Sequence, residues 1–242
     1  MPKPSAQRSA SLDALRARQD GGPSRAVLMQ HRARDFLVRQ LTQLANAIRA
    51  HLGEFGLVVP KGVHNMGRLI AAAAAADLPT QARIPLDLLA GRFRDTQERI
   101  EAITAQIREE AETDEVARRL QTMPGIGPVT ASARAATLPD VSAFRKARDL
   151  SAGPGLTPKP HSSRGKERLG SISKRGNRHI RRRLCPGAMG VIPARRKAGP
   201  GDDWLGRLRA TKPLKVAAIA LANRMAHAIW AMLRTGEAWR PA

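Results

Sequence analysis

The chain is poor in cysteine, in aromatic residues and in acidic side chains. Its 242 residues include one cysteine, Cys185, no tyrosine, and 3% aromatic residues in all. A single thiol excludes an intramolecular disulfide. No CxxC or HxxxH pair occurs and the six histidines are scattered, so we expect no zinc site and no metal bound by this chain alone. The start of the chain lacks the apolar core of a signal peptide, and the apolar run Ala71–Ala76 is too short to cross a bilayer. We therefore expect no membrane partner and a reducing, cytoplasmic location.

Positive charge is the property the chain has in excess. Lysine and arginine total 42 against 20 aspartates and glutamates, which gives a net charge of +22. Such a surface attracts polyanions and speeds their encounter, and nucleic acid is the partner it favours. The alternative is a generally arginine-rich composition. The charge is clustered, however: ten basic residues and one acid, Glu167, lie between Lys159 and Arg183.

Two adjacent serines, Ser162 and Ser163, open this basic run in a loop rich in glycine and proline. A serine hydroxyl becomes a nucleophile only when a neighbour activates it or stabilises the charge that develops. Arginines can do the latter for a phosphoryl group, and Arg164, Lys166 and Arg168 follow closely. No spacing indicates a Ser-His-Asp triad. From the residues alone, a hydrogen bond to phosphate or a plain turn remains an alternative to catalysis.

The spacing of apolar residues predicts a mainly α-helical fold, because no segment alternates with period two. We divide the chain into a disordered leader (1–24), a helical linker with a coiled-coil segment (25–119) and a C-terminal domain (120–242). Short strands are possible around Leu156–Ile172. The predicted helices are Arg25–Leu52, Met66–Ala76, Leu86–Leu120, Gly176–Val191 and a last one from Pro213 to Gly236.

Two of these helices carry features that leave alternatives open. Leu86, Phe93 and Ile100 begin a heptad-like seam, which either pairs two copies of the chain or packs on the first long helix. Pro186 lies inside the Gly176–Val191 segment and is expected to kink or end that helix.

The segment Met123–Ala131, with the sequence MPGIGPVTA, is typical of a helix-hairpin-helix turn. Gly125 and Gly127 would let a backbone approach closely, and the amides that start the next helix could hold a phosphate. The alternative is a tight turn between helices that binds nothing.

The segment Ser171–Leu184, SISKRGNRHIRRRL, predicts a second contact to nucleic acid. Its helical part would carry basic side chains along one face at steps of three and four residues. The alternative is a solvated basic face. The candidate residues are Lys174, Arg175, Arg178, Arg181 and Arg182.

Taken together, these stretches resemble the insertion-sequence 110 family of transposases, which are guided by a bridge RNA. The matching stretches run LQTMPGIGPVTA, AFRKARDLSAGPGLTPKPHSSRGKERLGSISKRGNRHIRRRL and KPLKVAAIALANRMAHAIWAML with GEAWRP after it. The upstream stretch VLMQHRARDFLVRQLTQLANAIRAHLGEFG is similar to the helical linker of the family. The resemblance covers about 215 of the 242 residues.

The resemblance implies a DNA transposase of two catalytic parts. An N-terminal RNase-H-like domain carries four acids, Asp-Glu-Asp-Asp, that bind Mg²⁺, and a C-terminal domain carries a serine that attacks DNA and forms a phosphoserine link. The serine maps to Ser163, with Ser162 as the fallback, and Arg164 stands where the family has glycine. The implied partners are DNA, a structured guide RNA, and further copies or a full-length transposase, and the implied location is the bacterial nucleoid.

The chain also departs from the family pattern. The family's acids precede the helical linker, where this sequence has about 25 residues and no apolar strand that carries an aspartate. The Gly153-Pro154-Gly155 turn and Pro186 are further departures. We therefore expect a transposase fragment that cleaves nothing alone. The alternative is a catalytically dead module that binds nucleic acid or joins full-length copies.

Overall fold

The computed structural model describes residues 22–138, 141–160, 169–173, 176, 178–197 and 204–240. Within them the fold is mainly α, as predicted, with one small sheet. Single turns of 3-10 helix lie at Val63–Asn65 and Val141–Ala143. The described elements are α1 (Gly22–Glu54), α2 (Met66–Ala75), α3 (Thr80–Thr113), α4 (Glu115–Gln121), α5 (Pro128–Thr137), α6 (Ala147–Ala152), β1 (Pro158–Pro160), β2 (Leu169–Ile172), α7 (Arg178–Lys197), α8 (Trp204–Thr211) and α9 (Leu214–Thr235).

The described chain forms two compact units, of which Met29–Gln106 is one. Its core joins Leu41 and Ile48 of α1 to Leu86 and Phe93 of α3. The seam of α3 therefore packs on the first long helix, one of the two arrangements that the sequence left open. Pairing of two copies through this helix stays a prediction.

Two helix boundaries in this part differ from the predicted ones. Helix α1 begins at Gly22, so residues 22–24 belong to a helix and not to the predicted leader. Helix α3 begins at Thr80 and contains Pro85. Proline near a helix start removes one N–H donor and leaves the later hydrogen bonds intact. The rest of the predicted leader, 1–21, lies outside the described residues.

The predicted continuous helix Leu86–Leu120 is wrong, because the helix breaks at Asp114. Helix α3 ends at Thr113, and Asp114 takes an extended conformation before α4. Its Oδ1 accepts a hydrogen bond of 2.9 Å from the amide of Ala117. An aspartate that caps a helix in this way stabilises a new helix start.

The other unit contains the start of α1 and the chain from Ile107 onward, and α9 is its central helix. Helix α9 contacts α4, α6, α7 and α8. Its buried Met225 and Ile229 share one core with Leu120, Leu150 and Leu184. By length and composition α9 could cross a membrane. This is weak evidence for a membrane span, because a core helix can have the same composition, and one face of α9 packs in the core of this unit.

Helix α7 runs past Pro186 and Pro193 to Lys197, so Pro186 does not end it, and the predicted kink stays a prediction. Both prolines are exposed. Each proline leaves the carbonyl group four residues earlier without its helical donor.

Strands β1 and β2 pair antiparallel, with Pro158 opposite Ile172 and Pro160 opposite Leu169. The register shifts between the two pairs. This two-stranded ribbon confirms the strands expected around Leu156–Ile172. The predicted division of the chain at 119/120 stays a prediction.

Candidate functional site

Most of the predicted serine loop lies outside the described residues. This applies to both serines and to five of the basic side chains, and their predicted roles stay predictions. The residues concerned are Ser162, Ser163, Arg164, Lys166, Arg168, Lys174 and Arg175. The structure does describe strands β1 and β2 on either side of residues 161–168. It also describes helix α6, which precedes β1, and helix α7, which follows β2.

The outgoing side of the ribbon starts from a helix end of defined geometry. The amide of Gly155 donates to Ala152 O at 2.9 Å, and the amide of Leu156 donates to Ser151 O at 3.3 Å. Gly155 has φ of +70°. These two bonds and the left-handed glycine form a Schellman motif. Leu156 is buried in the core, which fixes the chain just before β1.

The returning side of the ribbon rests on the same turn. The amide of Ser173 donates to Thr157 O at 3.0 Å, and Gly176 follows with φ of +96°. A Cβ at Gly176 would overlap the carbonyl oxygen of Gly153. Only glycine allows this close approach at this backbone angle, so the two ends of the ribbon are held against each other.

The basic face predicted on α7 divides into two environments. Arg178 and Arg182 are exposed and are free to meet phosphate. Arg181 points inward, and its guanidinium donates to Pro154 O at 2.7 Å. Burial raises the pKa of the Cys185 thiol, while the charge of Arg181 acts in the opposite direction. The guanidinium of Arg181 therefore lies between the turn that contains Pro154 and the Cys185 side chain, one helical turn further along α7.

The segment Met123–Ala131 forms a turn between α4 and α5. The amide of Ile126 donates to Met123 O at 3.1 Å, and Gly125 has φ of +86°. Proline at the second position and a glycine with positive φ at the third define a type II turn. A Cβ on Gly125 would lie 2.8 Å from Gly187 O. Gly125 thus makes a close approach to helix α7, and its predicted contact with nucleic acid stays a prediction.

Gly127 differs from Gly125 because the fold gives no steric reason for glycine there. It takes an extended conformation with φ of −87° just before α5. A Cβ at Gly127 would meet nothing within 4 Å. Pro128 occupies the first helical position, as is common at helix starts. The predicted contact of Gly127 with phosphate stays a prediction.

Two interior features escaped the sequence reasoning. Arg134 on α5 is buried, and no described residue accepts a hydrogen bond from its guanidinium. Burial lowers the pKa of Arg134 to about 9. Gly187 packs against Gly125 so closely that a Cβ would overlap the Gly125 carbonyl. A glycine inside a helical run was the available signal for such an approach.

A serine and a histidine also meet in this unit. His227 Nε2 lies 3.2 Å from Ser151 Oγ, and Ser151 Oγ donates to Arg148 O at 2.9 Å. Because the serine proton is already given to a carbonyl, His227 acts as the donor in this pair. Ser151 is buried, so the pair joins α9 to α6 and is not a nucleophile with its base.

The segment that includes the turn, the ribbon and α7 matches a known family. Residues 117–200 match the sequence profile of the transposase IS116/IS110/IS902 family. This stretch is therefore similar to a domain of that transposase family. A probable family 20 transposase of Pseudomonas aeruginosa is 37% identical over 221 residues, which cover 89% of this chain and 65% of that protein.

Two further relatives give the same result. A putative transposase of Sinorhizobium fredii is 36% identical over 220 residues, or 90% of this chain and 57% of that protein. The transposase for insertion sequence element IS1111A of Coxiella burnetii is 35% identical over 211 residues, or 86% of this chain and 58% of that protein. The chain thus spans less than two thirds of the length of these relatives.

The Mg²⁺ that the family resemblance implies does not fit the described side chains. No three His, Cys, Asp or Glu residues lie together as metal ligands in the part of the chain that the structure describes. Mg²⁺ requires several oxygen ligands in near-octahedral geometry. The described residues therefore offer no such set of oxygen ligands.

Proposed function

We propose that this chain is the serine-bearing part of a DNA transposase, with Ser163 as the nucleophile and Ser162 as the fallback. The observation that carries the proposal is the extent of the family match, 117–200. It includes both serines, the ribbon and the basic residues that follow. Two of the relatives that are similar to this chain are named transposases for insertion sequence elements.

The proposed reaction is an attack of the serine oxygen on a backbone phosphodiester of DNA. A bond forms between Oγ and phosphorus, and one phosphorus–oxygen bond of the DNA backbone breaks. The serine proton leaves to a base, and the departing strand end takes up a proton and becomes a free hydroxyl. The product is a phosphoserine link that preserves the energy of the phosphodiester for rejoining.

The basic residues serve this reaction by holding phosphates. In the proposal Arg164, Lys166 and Arg168 stabilise the charge that develops on the attacked group. Lys174 and Arg175, with the exposed Arg178 and Arg182 of α7, position DNA and guide RNA through sequence-independent contacts. Gly127 would add a backbone contact to phosphate at the start of α5.

The chain alone is not expected to cleave DNA. The resemblance assigns Mg²⁺ and its four acids to another domain, which a full-length partner in a mixed assembly would supply. We expect this assembly in the bacterial cytoplasm, at the nucleoid.

A mixed assembly tests the proposal. The purified chain is combined with the full-length Pseudomonas aeruginosa relative, whose corresponding serine is replaced by alanine, and with element-end DNA, guide RNA and Mg²⁺. We expect a covalent DNA adduct on the 26.2 kDa chain, which denaturing electrophoresis separates from the larger partner. Ser163→Ala should abolish the adduct and Ser162→Ala should keep it.

The outcomes of this experiment separate the alternatives. If the adduct is lost with Ser162→Ala and kept with Ser163→Ala, the nucleophile is Ser162. No adduct on the chain, in an assembly where the unmodified relative forms its own, refutes the proposed catalytic role. An adduct formed by the chain alone refutes the expected dependence on a partner.

The second candidate function is a catalytically dead module that binds nucleic acid or joins full-length copies. Arg178 and Arg182 are exposed and accessible to phosphate, which favours this function. Binding of this kind requires neither a metal nor a nucleophile. Affinity for element-end DNA should then fall steeply with salt, since each neutralised phosphate releases counterions. Failure of the chain to co-purify with a full-length transposase would refute the joining role.

A further inference from the structure

We propose that Arg181 is a positioning residue that fixes the direction in which the β1–β2 ribbon leaves the helical core. This rests on the proposed function, because the residues that connect the two strands include Ser162 and Ser163. Arg181 then acts on the reaction through the ribbon and not as a contact to nucleic acid.

The contacts of Arg181 separate it from its neighbours on α7. Its guanidinium donates to Pro154 O at 2.7 Å, inside the Schellman turn that leads into β1. Pro154 is buried, so this charged donor binds a carbonyl that bulk water does not freely reach. Arg178 and Arg182, three residues before and one after, are exposed.

The ribbon has little of its own to fix its direction. Its strands are three and four residues long, and an isolated two-stranded hairpin is marginally stable in water. Pro158 and Pro160 occupy both ends of β1 and cannot donate to the strand ladder. The orientation of the ribbon therefore depends on contacts at its base.

Three such contacts converge on the turn at residues 153–157. Gly176 packs on the carbonyl of Gly153, the amide of Ser173 donates to Thr157 O, and Arg181 donates to Pro154 O. The first two join the two sides of the ribbon to each other. Among the described hydrogen bonds at this base, the Arg181 bond is the one that comes from a side chain of a long core helix, and it acts beside the buried Leu156. Its loss should therefore loosen the base and let the ribbon change its direction.

Hydrogen exchange tests the structural half of the proposal without requiring catalysis. We compare Arg181→Ala, Arg181→Lys and the exposed control Arg182→Ala in the full chain. The amides of Leu156 and Ser173 should exchange at least about tenfold faster in Arg181→Ala, the change expected when a charge-assisted hydrogen bond is lost. The amide of Ile229 in α9 should keep its rate.

The conservative variant distinguishes positioning from other roles. Arg181→Lys should restore slow exchange, because an ammonium group can donate the single bond that Pro154 O accepts. In hydrogen exchange, Arg182→Ala should show the same rates as the unmodified chain. Unchanged exchange of Ser173 in Arg181→Ala would overturn the proposal.

DNA binding and adduct formation test the functional half. Arg182→Ala should reduce the slope of log affinity against log salt by about 1, as expected for one lost phosphate contact. Arg181→Ala should leave the slope unchanged and slow adduct formation in the mixed assembly about tenfold at saturating DNA. A reduced slope in Arg181→Ala would make Arg181 a phosphate contact and would overturn the proposal.

The two proposals can fail separately. If the unmodified chain forms no adduct, the proposed function fails, while hydrogen exchange and the salt slope still decide the role of Arg181. If the unmodified chain forms the adduct and Arg181→Ala forms it equally fast, the proposed function stands and the positioning role is refuted.

Discussion

Replacing Arg134 with methionine should stabilise the protein, although it removes a charged residue from a chain that is expected to bind nucleic acid. The side chain is 1% exposed, and no described residue accepts a hydrogen bond from its guanidinium. An arginine at this position keeps a charge in the core without a described partner. Methionine has a similar unbranched stem and fills irregular core space without a polar group.

The pKa gives the size of the expected effect. A fall in the pKa of Arg134 from its ordinary value to about 9 corresponds to a burial penalty of roughly 5 kcal/mol, at about 1.36 kcal/mol per pKa unit. Local relaxation and water reduce such penalties, and replacing buried charges with apolar residues gains about 1–4 kcal/mol. We expect Arg134→Met to raise the free energy of unfolding by about 2–4 kcal/mol.

Thermal and chemical unfolding measure this gain. For a chain of this size each kcal/mol raises Tm by about 2–4 °C, so Tm should rise by roughly 5–15 °C. Arg118→Met is the matched control, since Arg118 is exposed on α4 and its replacement should change the free energy of unfolding by less than about 0.5 kcal/mol. A lower Tm for Arg134→Met than for the unmodified chain would refute the reasoning.

The pH dependence of this difference provides a second check. Above about pH 9 the buried Arg134 releases its proton, while the arginine of the unfolded chain keeps it. The unfolded state then binds more protons, so stability rises with pH. The full burial penalty acts below about pH 9. The advantage of Arg134→Met should therefore shrink by about 1 kcal/mol from pH 9 to pH 10, and a constant advantage would contradict a buried titrating charge.

Three further predictions follow from the described contacts. Gly187→Ala should lower the free energy of unfolding by more than about 2 kcal/mol, because the added Cβ would overlap the carbonyl oxygen of Gly125. Gly190→Ala is the matched control, because a Cβ there meets nothing within 4 Å, and it should raise the free energy of unfolding by about 0.5–1 kcal/mol. Equal effects of the two substitutions in urea unfolding would refute the close contact between Gly125 and Gly187. Asp114→Ala should cost about 1 kcal/mol as a lost helix cap, and an unchanged urea midpoint would contradict that role. Burial, and then the charge of Arg148, lower the pKa of His227 below its usual value. Protonation of His227 therefore favours the unfolded state, so the free energy of unfolding should fall as the pH drops below about 6.5. His227→Gln should remove this fall in melts recorded at different pH values.

Much of the fold follows from the sequence because helix formation is local. Apolar residues at steps of three and four predicted α1 and α9 to within a few residues, and Gly236 ends α9 with φ of +74° as a left-handed glycine usually does. The break at Asp114 was missed. Its capping bond depends on one side chain, and the predicted helix was extended past Ile107, where the heptad pattern ends.

The candidate site was predicted in part. The sequence indicated the ribbon, the turn at Gly125 and the basic helix, because glycine, proline and charge mark such segments directly. It did not indicate that Arg181 turns inward while Arg178 and Arg182 face solvent. All three lie near one another on the helix, and periodicity alone does not say which surface meets another element.

By itself, therefore, the sequence determined the mainly helical fold, the excess of positive charge and the stretches that resemble a transposase family, since each of these is a property of neighbouring residues. The tertiary structure alone decided that Gly125 approaches Gly187, that Arg134 lies in the core and that Arg181 holds the base of the ribbon. Each of these depends on residues distant in sequence, and only the packing of helices brings them together.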